Sequence, residues 1–265
     1  MIVIILIGII IIFPLFSQQM QDQFVKIDKD LTIVMGGGGN SGILNTDKAV
    51  VVIDTKSSGP DAAQLYELAR KTAGTKQIIV INTHYHGDHV GGNQFYKGSK
   101  IYIGDYDLSF LQNNVKPEDM PTDFVKDSLT LDLGNEKLLL VNMGAGHTYK
   151  DMVVYLENRK ILFSGDLVVN KVCPYVLANS GANVDRWISD LNVILARWDI
   201  KTIIPGHGNV GDRQIASNMK KYFEDMKLAA SDPSKASELT AKYKDWKVSP
   251  GWASTEKTIE FIKSH

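Results

Sequence analysis

The sequence predicts an α/β fold in which two strand-rich halves pack their sheets together and carry helices outside. Three observations predict it. Short apolar strands alternate with amphipathic helices, the order strands-then-helix occurs on both sides of a middle region, and no proline- or serine-rich linker divides the halves. The 265 residues are 44% hydrophobic and 22% charged, an ordinary globular balance that excludes a disordered chain.

The elements follow in order. The opening "MIVIILIGIIIIFPLF" has no charged or polar side chain, but its 16 residues fall short of a membrane span, which takes about 20. With the polar "SQQMQDQ" behind it, the segment reads as a signal peptide over residues 1–20, with an uncleaved anchor as the alternative. No Lys or Arg precedes the run, and no A-x-A cleavage site follows it. Either reading makes this an exported protein, periplasmic or secreted, that meets a membrane only through this segment. Residues 21–230 form one domain and residues 231–265 a small helical appendage.

Within the domain, "LTIVM" and "AVVVID" are strands joined through the glycine-rich "GGGGN", which is either a flap or a hairpin turn. A helix is predicted over Asp61–Lys71, then the strand "QIIVIN", the strand "KIYIG" and a short helix over Tyr106–Gln112. The strands "SLTLDL", "KLLLVNM", "MVVYLE" and "KILFS" come next. In "VDRWISDLNVILARW", the residues Val184, Trp187, Ile188, Leu191, Leu195 and Trp198 share one face, the mark of an amphipathic helix. "TIIP" is a buried strand, and Ile215, Met219, Tyr222, Phe223 and Met226 mark a last long helix.

The net charge of −1, from 29 basic and 30 acidic residues, excludes a nucleic-acid footprint. The lysines between Lys220 and Lys247 alternate with acids and read as solvated helix faces. Cys173 is the only cysteine, so no internal disulfide forms; it reads as a small buried apolar residue.

Five of the six histidines fall in places that share one grammar. "QIIVIN" runs into "THYHGDH", holding His84, His86, Asp88 and His89. "KLLLVNM" runs into "GAGH" and His147, "KILF" into "SGD" and Asp166, and "TIIP" into "GHG" and His207. Each time an apolar strand enters a small-residue turn and a metal-ligand residue type follows. Sites in α/β folds gather outside the carboxyl ends of strands. Each residue alone is ordinary turn or surface chemistry; the joint pattern predicts a metal site.

These motifs resemble, in order and spacing, those of the metallo-β-lactamase superfamily, over about Phe24 to Lys227. The resemblance implies a four-layer αββα sandwich with metals at one edge between the sheets. It assigns His84, His86 and His147 to one ion and Asp88, His89 and His207 to a second, with Asp166 bridging both. Asp54, ending "VVID", matches a position that supports a ligand loop without ligating. The best-known broad-spectrum lactamases carry cysteine where Asp166 stands, whereas glyoxalase II and many lactonases carry aspartate. The lactamases' substrate-binding lysine has Val169 in its place, and Lys171, two residues on, is the nearest lysine. Tyr85, Tyr149, Asn179 and Asn183 are further candidates for the pocket wall.

The implied chemistry is hydrolysis of a small molecule. Two divalent cations about 3.5–4 Å apart hold a hydroxide, and Asp88 orients it toward a carbonyl. Two zinc ions are the expected cofactor, with iron or manganese also compatible with imidazole and carboxylate. The expected activity is that of an exported dinuclear-zinc hydrolase acting on a cyclic amide or ester, β-lactam-like or lactone. The alternatives are a glyoxalase-type thioester hydrolase and an iron-dependent sulfur or oxygen redox enzyme of the same fold. Oligomeric state stays open.

Overall fold

The computed structural model describes residues 24–249, 251 and 253–265, so the segment read as a signal peptide lies outside the described residues. The first sheet runs in chain order through β1 (Phe24–Lys26), β2 (Leu31–Val34), β3 (Ser41–Asn45), β4 (Ala49–Ile53), β5 (Gln77–Ile81), β6 (Lys100–Gly104) and β7 (Asp123–Val125). It is antiparallel up to β4 and parallel from there to β7. The second sheet holds β8 (Ser128–Asp132), β9 (Lys137–Gly144), β10 (Asp151–Leu156), β11 (Ile161–Gly165) and β12 (Thr202–Pro205). All its neighbours are antiparallel except β11 and β12.

Side chains alternate between the faces of a strand, and β4 shows how this builds layers. Ala49, Val51 and Ile53 point inward, into a cluster with Leu138, Leu140, Met152, Val154 and Phe163 of the other sheet. Val50 and Val52 point outward, against Leu65 and Ala69 of helix α1 (Pro60–Ala73). Every residue of β4 is buried, as a strand covered on both faces must be. The second sheet's outer face, with Val141, Val153, Leu162 and Ile203, is covered by α4 (Val184–Arg197) and α5 (Gln214–Ser231). The four layers are therefore helix, sheet, sheet, helix, the predicted αββα sandwich.

Three details differ from the sequence reading. The short helix placed at Tyr106–Gln112 is α3 (Leu108–Asn114), because the Asp107 carboxylate accepts from the Ser109 and Phe110 amides and caps it there. The strands β1 and β7 have three residues each, too few to show a period. The apolar face of α4 also takes in Ile194 and, unexpectedly, Asp190, while Ile188 and Leu195 are only partly covered. Beyond α5, α6 (Ala236–Ala241) and α7 (Thr255–Ser264) fold back, and Tyr243 and Phe261 join the cluster beneath the second sheet.

Candidate metal centre

The four motifs meet because of strand direction. β9, β11 and β12 point the same way in the second sheet, so the turns after them lie at one end of it. The segment after β5 of the first sheet meets them there, and the Thr83 carbonyl accepts from the Met152 amide across the sheets at 2.8 Å. His84 follows β5 closely, and His86 precedes α2 (Gly87–Val90), which carries Asp88 and His89. His147 sits between β9 and β10, Asp166 directly follows β11, and His207 follows β12.

All seven predicted site residues are brought together. His84, His86 and His147 form one set, with His86 Nδ1 3.2 Å from His84 Nε2 and 3.0 Å from His147 Nε2. Asp88, His89 and His207 form another, with His207 Nε2 3.1 Å and His89 Nε2 3.7 Å from Asp88 Oδ2. Asp166 lies between them. Its Oδ2 is 3.5 Å from His147 Nε2 and 3.5 Å from His207 Nε2, and its Oδ1 is 3.3 Å from His89 Nε2.

His89 Nε2 and Asp166 Oδ1 are both buried and neither forms a hydrogen bond, although only 3.3 Å separates them. An orphaned buried donor or acceptor costs about 1–3 kcal/mol, so both atoms are held toward a shared third partner. Imidazole nitrogens and carboxylate oxygens converging in threes are the ligands of a divalent transition metal. The residues fit such ions.

Supporting groups fix each ring. The Asp54 carboxylate accepts from His89 Nδ1 at 2.9 Å, from the Thr83 amide at 2.8 Å and from Thr83 Oγ1 at 2.8 Å. Asp54 is therefore where the sequence placed it, against a ligand and not among the ligands. Its φ of 57° is rare for a side-chain-bearing residue, a strain held by those three bonds. Ser180 Oγ lies 3.1 Å from His86 Nε2 and accepts from the Tyr85 hydroxyl. The buried Asp151 carboxylate accepts from the Gly146, His147 and Thr148 amides and the Thr148 hydroxyl, which shapes the turn carrying His147.

Two glycines are required by close approach. A Cβ on Gly39 would lie 2.3 Å from His89 Cε1, and one on Gly206 would lie 1.9 Å from Asp166 Oδ1. The glycine-rich stretch between β2 and β3 is thus folded against the site. The Gly39 amide donates to the Asp88 carbonyl, and Asn40 reaches the Pro205 and Gly208 carbonyls.

Electrostatics divide the two sets. Burial pushes His84 and His147 below the usual imidazole range and brings His86 to about 3, so the first set offers neutral rings with free lone pairs. The Asp166 carboxylate raises His207 to about 9 against burial. Burial also opposes charge on His89, but Asp88, Asp54 and Asp166 outweigh it and raise that ring. Burial likewise disfavours ionised Asp88 and Asp166. The neighbouring His89 and His207 overcome it and hold both carboxyls below the usual range.

Some sequence candidates do other work. Tyr85 is buried, donating to Ser180, and Tyr149 is half exposed with its edge toward Phe110. The Asn183 carboxamide caps α4 by accepting from the Arg186 amide, and Asn179 is exposed. Lys171 is exposed outside the cleft. Cys173 lies in the cleft wall, 3% exposed, with burial pushing its thiol up to about 11, and belongs to none of the candidate sets among the described residues. Ser180, Asp151 and Lys56 escaped the sequence reading. Asp151, four residues past His147, and Lys56, two past Asp54, stood close enough to a motif to be found.

An αββα sandwich with two histidine–carboxylate sets at the shared sheet end defines a metal-centred class of protein. A family model for the metallo-beta-lactamase superfamily matches residues 34–207. A metallo-beta-lactamase type 2 of Bacillus cereus is 30% identical over 177 residues, covering 66% of this chain and 68% of its own. The metallo-beta-lactamase IND-1 of Chryseobacterium indologenes is 29% identical over 211 residues, covering 75% of this chain and 87% of its own. Among solved structures, a metallo-beta-lactamase from Pontibacter korlensis shares the fold with a TM-score of 0.68 at 23% identity, covering 76% of this chain and 98% of its own. A sec-alkylsulfatase from Pseudomonas sp. does so with a TM-score of 0.70 at 14% identity, covering 91% of this chain and 49% of its own. The chain belongs to the metallo-beta-lactamase superfamily and is a metal-dependent hydrolase of that family.

Proposed function

We propose that the protein is an exported dinuclear-zinc hydrolase that opens a cyclic amide or ester, a β-lactam-like ring or a lactone. The observation that carries this reading is the pair of ligand sets joined by Asp166, facing one cleft. His84, His86 and His147 would hold one ion, Asp88, His89 and His207 the other, and Asp166 would contact both. When bound, such cations supply an acidified water and positive charge for the carbonyl oxygen.

The chain's own groups supply the rest. Asp88 lines the cleft with its side chain 35% exposed, so its carboxylate meets both the ligand rings and incoming substrate. Held ionised, it accepts a hydrogen bond from a water in the cleft and orients it without retaining the proton. Asp54 keeps the His89 ring turned, and Ser180 does the same for His86. The cleft, about 760 Å³, takes a small molecule. Lactamase relatives support a β-lactam ring, while aspartate at 166 supports lactones equally. The apolar N-terminal segment supports export to the periplasm or the medium.

One panel tests the proposal. The zinc-loaded chain is offered β-lactams, lactones and thioesters, with and without chelator. Turnover of a cyclic amide or lactone that chelator abolishes is expected. No turnover with two zinc ions bound overturns the proposal, and turnover of thioesters alone moves the assignment to the glyoxalase-type reading.

A further inference from the structure

The cleft has a wall that the family match does not reach. Met35, Gly36 and Gly38 line one side, and Lys247, Ser249 and Ala253 also line the cavity, from the C-terminal region well past the last matched residue, His207. The segment is pinned at both ends. The Lys247 amide donates to the Lys171 carbonyl at 2.8 Å, and the Lys247 carbonyl accepts from the Cys173 amide at 2.9 Å. Ser249 and Ala253 exchange amide–carbonyl bonds of 3.0 and 2.9 Å. Behind the wall, Trp246 stacks on Tyr222 with ring centroids 5.0 Å apart, and the Tyr222 hydroxyl meets Thr258 Oγ1 of α7 at 2.9 Å.

Charge then singles out one residue. Among the described residues lining the cavity, Lys247 alone is a lysine or arginine. Its backbone is fully engaged, yet its side chain is exposed and makes no ion pair or hydrogen bond with the described residues. The remaining lining near it is apolar, with Val169, Val172 and Pro174. We infer that Lys247, Ser249 and Ala253 form the substrate-selecting wall of the cleft, and that Lys247 pairs with an anionic substituent, a carboxylate, on a substrate whose apolar body lies along Val169, Val172 and Pro174. This deepens the hydrolase reading and rests on it for the identity of the substrate.

The test uses a bicyclic β-lactam bearing a free carboxylate and its methyl ester, with the full chain. Binding is read by intrinsic fluorescence on metal-depleted protein, and KM and kcat on zinc-loaded protein. Lys247→Gln is expected to weaken binding of the acid about fivefold, the scale of a partly exposed ion pair. The ester shows no such loss, kcat for the acid stays within about twofold, and Lys247→Arg restores binding. Lys171→Gln, outside the cavity, changes neither ligand. Ser249→Trp, at an exposed wall position, weakens both ligands together. Equal effects of Lys247→Gln on acid and ester, no effect on the acid, or an effect of Lys171→Gln in its place overturns the assignment of the anion. Unchanged binding of both ligands in Ser249→Trp overturns the wall. Zinc-loaded protein that hydrolyses neither ligand counts against the hydrolase reading, while the binding arm still decides the role of Lys247.

Discussion

Asp54 shows how much one side chain settles. It ends the wholly buried strand β4, takes a left-handed backbone, and spends its carboxylate on Thr83 and His89. The carboxylate keeps a proton on His89 Nδ1, so Nε2 is the nitrogen offered to a metal once the raised ring has given up its second proton. Asp54→Asn removes the anion at nearly constant volume. Zinc affinity at the set containing His89 is expected to fall about 10–100-fold, while the set of His84, His86 and His147 holds its ion, as read by competitive chelator titration. At this scale the ligands themselves were legible, because each follows an apolar strand and a small-residue turn. The strain at Asp54 was not. A left-handed aspartate is written in no local pattern, since the bonds that hold it come from a neighbouring strand end.

The connection between β2 and β3 makes the same point for an element. Four consecutive glycines read as a flap or, more safely, as a turn, and the structure gives a turn folded onto the site. Part of the reason is Lys56, which is wholly buried and donates to the Val34 carbonyl at 2.5 Å and the Gly39 carbonyl at 2.7 Å. The first carbonyl precedes the glycines and the second belongs to the last of them, so the amine clamps the loop at both ends. Burial lowers the Lys56 amine to about 7 from its ordinary 10.5. Between those two values the unfolded chain binds the proton and the folded one releases it, so stability rises with pH across that window. Lys56→Met should remove that rise. It should also cost about 1–3 kcal/mol through two carbonyls left without a donor. Chemical denaturation of both proteins at several pH values reads both effects. The elements with clear periods, such as α5 with Ile215, Met219, Tyr222, Phe223 and Met226, were legible because one buried face dictates them. The docking of the glycine turn onto the site was not, since its clamp lies beyond β4 in sequence.

For the whole molecule, the two ligand sets form one electrostatic object with unlike halves. The neutral rings of the first set accept a cation without losing protons, whereas His207, raised to about 9 by Asp166, and His89, raised by Asp88, Asp54 and Asp166, must each lose one. Zinc uptake by the second set is therefore expected to release more protons at pH 7 than at pH 10, because above about pH 9 His207 has already lost its own. Below that value its affinity should weaken by up to tenfold per pH unit for each ring that must release a proton. Titration in weak buffer with a pH indicator reads this directly, and equal release at pH 7 and pH 10 would refute it. The global architecture was legible because two sheets must each bury a face and four motifs sit at equivalent strand ends. The cleft wall was not, because nothing in "KVSP" hints that it returns to Lys171 and Cys173. That return has a consequence for the order of synthesis. A chain made from its N-terminus completes all seven cluster residues before Lys247 has left the ribosome. The residues of the proposed wall are thus the last part of the cleft to be synthesised, after every residue of the metal cluster.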